Sequence, residues 1–89
     1  MTNLKGTEKQ VAWAEDIRAG QIRQMEKYIR DWELRIEREG IYPGYTWILE
    51  KHKEALEELR QVSEAKFWIE HRRIANALNT RIIRASEGK

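Results

Sequence analysis

An all-α fold, a long antiparallel helical hairpin, is what this sequence predicts, and three observations predict it. Apolar residues recur at helical spacing over 8–39, a Gly40-Ile41-Tyr42-Pro43-Gly44 corner interrupts them, and helical spacing resumes over 46–86. At 89 residues the chain is a single domain. A chain this small buries only about two-thirds of its unfolded surface, so its core is thin unless another subunit adds to it.

Residues 1–6 read as a short extended lead-in. Thr7-Glu8-Lys9-Gln10 fits a capping box, the Thr7 hydroxyl accepting from an early backbone N–H and Gln10 reaching back. On a wheel of about 100° per residue, Val11, Ala14, Ile22, Met25, Ile29, Trp32 and Ile36 share one face, which predicts a helix over 8–39. Gly20 inside it marks a bend or a close packing contact. Glu26–Arg30 and Asp31–Arg35 are four-apart pairs on the outer face.

Gly40 is the expected helix stop, with Ile41 folding back over the last turn. Tyr42-Pro43-Gly44-Tyr45 suits a type II turn, and Thr46 an N-cap for the second helix, 46–86. Ile48, Leu49, His52, Ala55, Leu56, Leu59 and Val62 share a face. Past Ser63 the apolar direction rotates to Phe67, His71, Ile74 and Leu78. Either the helix breaks near Ser63 or it runs on to Ser86; the absence of Gly and Pro favours continuity. Residues 87–89 should fray. In a continuous hairpin, positions summing to about 85 face each other, placing Ile36 by Leu49, Ile29 by Leu56, Ile17 by Trp68 and Ala14 by His71.

Phe67, Trp68 and Ile69 in a row conflict with a single seam, since adjacent helical side chains diverge by about 100°. A homodimer, most simply an antiparallel four-helix arrangement, would cover them; a three-helix monomer with its C-terminal part folded back is the alternative.

Cysteine is absent, which removes disulfides, thiolate chemistry and cysteine-based zinc sites. No apolar run approaches the roughly 18 residues of a membrane span, and the first residues lack a signal-peptide core, so the expected location is cytoplasmic. Residues 1–63 hold 11 basic and 12 acidic side chains; residues 64–89 hold 6 and 3. Arg72, Arg73, Arg81 and Arg84, with no carboxylate between His71 and Arg84, suit a phosphate-facing strip; the plainer reading is a solvated helix end. No catalytic pattern, metal-ligand spacing or cofactor loop stands out, and His52 and His71 have no ligand-spaced companions. His71, on the apolar stripe, is expected to be a satisfied, partly buried side chain rather than a base.

The constellation that remains lies at the open end of the hairpin. Trp13, Arg18, Phe67, Trp68, Glu70, His71, Arg72 and Arg73 combine aromatics with charges, with Glu15 and Asp16 nearby. That mixture suits a protein-binding hot spot or a pocket for a planar, nucleotide-like small molecule.

Two stretches carry a resemblance. Leu4-Lys5-Gly6-Thr7-Glu8-Lys9-Gln10-Val11-Ala12-Trp13-Ala14-Glu15-Asp16-Ile17-Arg18 is similar to the opening of a group of small phage and bacterial mobile-element proteins. Ala65-Lys66-Phe67-Trp68-Ile69-Glu70-His71-Arg72 is similar to a later motif of the same group. The region from Gly20 to Ser63 carries none. The resemblance attaches no activity and transfers no functional residue; it implies a small accessory protein acting by stoichiometric binding, for instance to a host defence protein. The leading expectation is therefore a non-enzymatic, dimeric helical protein that binds a host or phage protein. Nucleic-acid binding through the C-terminal arginines and small-molecule binding at the tryptophans are the alternatives.

Overall fold

The computed structural model describes residues 3–87. They form four helices, α1 (Glu8–Glu39), α2 (Pro43–Arg60), α3 (Ala65–Glu70) and α4 (Ile74–Ser86). The all-α prediction holds. The 32 residues of α1, at about 1.5 Å each, account for the whole 47 Å length of the molecule. The helix starts at the expected capping box. Gln10 N–H donates to Thr7 Oγ1 at 3.2 Å, and Thr7 N–H donates to Gln10 Oε1 at 3.1 Å.

The corner is tighter than expected. Gly40, at φ 105°, ends α1 with its N–H on Ile36 O at 2.8 Å. Pro43 then opens α2 at its first position rather than sitting in a type II turn, and Tyr42, not Thr46, is the N-cap. Proline's fixed φ and missing N–H suit that first helical position, so the turn signal was also a helix-start signal. Ile41 is 80% exposed and does not fold back over α1.

Over α1 and α2 the hairpin register is close to that expected. Glu33 pairs with Lys53 at 3.8 Å and Glu26 with Arg60 at 3.4 Å. Glu26 thus reaches across to α2 instead of to Arg30, and Arg35 pairs with Glu39 at 3.6 Å instead of with Asp31. Gly20 marks no close packing contact; a Cβ there would meet only the Arg23 guanidinium, at 4.0 Å.

Past Arg60 the chain departs from the continuous hairpin. Residues 61–64 leave the helix, and the lead-in pairs with them: Lys5 N–H donates to Ser63 O at 2.6 Å and Ala65 N–H to Lys5 O at 2.9 Å. These bonds satisfy backbone groups that the break would otherwise strand. Lys5-Gly6 is therefore a strap across the α2–α3 break. The chain then reverses, and the α3–α4 arm runs parallel to α1. Ala65 lies beside Gly6, Arg72 over Trp13, and Ala75 N–H donates to Gln21 Oε1 at 2.9 Å. Past residue 63 both members of each facing pair therefore advance together, 59, 59 and 54 positions apart, rather than keeping a constant sum, and the expected pairing of Ala14 with a buried His71 gives way.

The reversal supplies the missing cover. Trp68 is 0% exposed within a core that includes Ala14, Ile22, Met25, Leu56, Leu59, Ala65 and Ala75, and its Nε1–H donates to Val62 O at 3.4 Å. Phe67 and Ile69 are half-buried against the same cluster. One chain covers the row, so the argument for a second subunit on that ground is gone. The buried histidine is His52, not His71: its Nδ1 lies 2.8 Å from Ile48 O and its Nε2 2.9 Å from Asn79 Oδ1, joining α2 to α4.

Two substitutions test this architecture by thermal unfolding. A Cβ at Gly6 would lie 3.1 Å from Ala65 Cβ and 3.0 Å from Gln10 Oε1, at a φ of +154°. Gly6→Ala therefore lowers stability by about 1–3 kcal/mol. Trp68→Ala removes the largest fully buried side chain and costs about 3–5 kcal/mol, leaving little of a small domain's stability. A Gly6→Ala midpoint equal to that of the parent would remove the strap from the account.

Candidate functional site at the Trp13–Arg72 contact

Trp13 lies on the side of α1 that no other helix covers completely, and 48% of its surface remains exposed. Arg72, in the connection between α3 and α4, crosses back to it. The guanidinium carbon sits 4.7 Å from the Trp13 ring centroid. Arg72 Nε–H also donates to Ile69 O at 2.8 Å, which ends α3 and aims the side chain. A cation over an exposed indole is worth about 0.5–1 kcal/mol, enough to favour this orientation of the indole a few-fold without burying it.

Beside this contact a surface groove of about 480 Å³ is lined by Glu70, His71, Arg72, Arg73, Ile74 and Ala77. Its charges are arranged unevenly. Glu70 is held by Lys66 one turn back, at 3.6 Å, while Arg73 has no carboxylate within 4.0 Å among the described residues. His71 is exposed, its ring 4.6 Å from that of Phe67, and so is not the partly buried side chain its stripe suggested.

Of the expected binding residues, Trp13, Glu70, His71, Arg72 and Arg73 are brought together at or beside this groove. Trp68 is not among them: it is fully buried, so it cannot touch a partner in this fold. For the same reason Trp13 and Trp68 cannot jointly line a ligand pocket. Phe67 is half-buried and supports His71 and Trp68, its ring edge-on to Trp68 at 5.3 Å. Arg18 is half-buried on α1. The four arginines expected as one strip divide, because Arg72 turns to Trp13 while Arg73 caps the start of α4 and Arg81 and Arg84 lie on it.

A second aromatic group escaped the sequence reading. At the α1–α2 corner Tyr45 packs edge-on to Trp32 at 5.3 Å and to Tyr42 at 5.2 Å, with the Arg35 guanidinium 4.7 Å from the Trp32 ring. The signal was present as Trp32 and Arg35 three apart on one helix and Tyr42 and Tyr45 three apart on the next. A cleft of about 240 Å³ opens nearby between α1 and α4, lined by Tyr28, Asp31, Trp32, Arg35, Asn79 and Ile83. Among the described residues no group of three or more His, Cys, Asp or Glu could hold a metal ion, and no helix is long and apolar enough to cross a membrane.

The corner carries the resolved electrostatic perturbations. Hydrogen bonds from Arg38 and then from Tyr45 hold the Glu39 carboxyl below its usual range, and the bond to Glu39 pushes the Tyr45 phenol up. Because the Glu39 value is depressed by folding, its contribution is present above the ordinary carboxylate pKa and is lost as pH falls through the depressed value. Tyr45→Phe removes one of the two bonds, so the Glu39 pKa rises toward the ordinary carboxylate value in a carbon-detected NMR titration; an unmoved midpoint would show that this bond does not form.

Compared with known protein families, with curated proteins and with solved structures, the chain gives no match.

Proposed function

We propose that this chain is a non-catalytic helical binding protein that engages a partner protein stoichiometrically through Trp13, Arg72 and the groove beside them. The observation that carries this reading is the half-exposed Trp13 pinned under Arg72. Tryptophan and arginine are the side chains most enriched where protein interfaces concentrate their energy. An indole already biased toward one orientation loses less freedom when a partner covers it, so more of the burial energy remains as affinity. The groove lined by Glu70, His71, Arg72, Arg73, Ile74 and Ala77 adds a concave wall with two arginines and one carboxylate next to that anchor.

The similarity of residues 4–18 and 65–72 to phage and mobile-element proteins makes a host protein the partner class. Both stretches meet in space, and both contribute to this surface: Trp13 from the first, Arg72 from the second.

Affinity capture from a bacterial host lysate, followed by titration calorimetry with the captured protein, tests the reading. Trp13→Ala leaves helicity intact, because the side chain is half outside the core, and weakens the complex by about 2 kcal/mol or more, roughly thirty-fold. Arg72→Ala weakens it in the same direction. Unchanged affinity in both variants would rule this surface out as the binding site.

A further inference from the structure

α4 presents two different faces. Ala75 and Ile82 are buried, and Ile74, Leu78, Asn79 and Ile83 are half-buried. The opposite face exposes Arg73, Asn76, Ala77, Thr80, Arg81 and Arg84. Spacings of three and four make these one continuous stripe. We infer that this outer face of α4 binds the phosphate backbone of a nucleic acid, an activity distinct from protein binding at Trp13, with Arg73 and Ala77 lining both surfaces.

Charge is the first argument. No Asp or Glu occurs between His71 and Ser86, and among the described residues no carboxylate lies within 4.0 Å of Arg73, Arg81 or Arg84. The outer face of α2 is the contrast. It exposes Glu50, Glu54, Glu57 and Glu58, and each of its cations, Lys51, Lys53 and Arg60, has a carboxylate within that distance. The cations on α2 are paired within the molecule, while those on α4 meet no carboxylate among the described residues.

The position of Arg73 is the second argument. Arg84, in the last turn of α4, is explained by the negative pole of the helix dipole. Arg73 is the N-cap of α4, makes no side-chain capping bond, and stands at the positive pole, where a cation is disfavoured. Helix stability therefore gives no account of it, whereas an anionic ligand does.

Geometry and polarity supply the third. Arg73 and Arg84 are eleven positions apart, about 16 Å along a helix, close to the rise of five nucleotides at about 3.4 Å per phosphate. Asn76 and Thr80 stand between the arginines and offer the uncharged hydrogen-bonding groups that meet phosphates and base edges. Ala77 keeps the middle of the stripe low enough for a backbone to approach. An acidic protein surface would match the charge but has no need of the intervening amide and hydroxyl.

Fluorescence anisotropy of the full chain with labelled 20-base-pair duplex DNA and with the corresponding single strand tests the inference. Three phosphate contacts give a slope of log affinity against log salt of about −2.7, so raising salt from 50 to 200 mM weakens duplex binding about 40-fold. Arg81→Glu with Arg84→Glu reduces affinity at least ten-fold, while Trp13→Ala leaves it unchanged. Arg73→Glu is the decisive variant, since a carboxylate at that pole preserves or raises the thermal midpoint and still weakens binding, reducing the slope by about 1. Binding to either form of DNA with this pattern supports the inference. It is overturned by no binding at 50 mM salt, by full affinity in the double variant, or by poly-glutamate binding as tightly as DNA.

Discussion

The burial of Trp68 is the constraint on which the rest of this structure depends. An indole flanked in sequence by Phe67 and Ile69 cannot be sealed by one neighbouring helix, because the three side chains sweep through more than half a turn. The chain seals it by abandoning the helix after Arg60 and approaching α1 again from the opposite direction. Breaking a helix strands backbone groups, and the two Lys5 bonds to Ser63 and Ala65 offset that cost. The strap, the break and the return of α4 are thus one solution to a single packing problem.

This solution also builds the surface. Because α3 runs parallel to α1, its C-terminal end delivers Arg72 to Trp13, and the connection into α4 lays Arg73 at the head of a new helix. The stretches 4–18 and 65–72 become neighbours, touching at Gly6 with Ala65 and again at Trp13 with Arg72. The intervening hairpin from Gly20 to Ser63 supplies core residues such as Met25, Leu56 and Leu59 against which that unit closes.

Charge is segregated by the same topology. The acidic outer face of α2 carries its own paired cations, and among the described residues no carboxylate pairs with the arginines of the α4 face. A near-neutral chain therefore presents a cationic face to its surroundings, and that face depends on α4 being a separate helix rather than the end of α2. The binding surface at Trp13 and the stripe on α4 meet at Arg73 and Ala77, which belong to both the groove and the stripe.

Local chemistry was legible in the sequence. The Thr7–Gln10 capping box, the Gly40 stop and the helical face through Ala14, Ile22 and Met25 all follow from interactions within a few residues. The α1–α2 register was also readable, since a short corner leaves few ways to reverse. Periodicity states which residues face inward but not the direction from which they are covered. It could not distinguish an antiparallel continuation from a parallel return, so it placed His52 inward correctly but turned His71 inward as well and set Trp68 on a binding surface. Pro43 was misread because one fixed φ serves a turn and a helix start equally well. The sequence determined the helices and the apolar row that had to be hidden. Only the tertiary structure decided the break at 61–64 and the partner of each aromatic ring, because those choices depend on pairing with Lys5, almost sixty positions away.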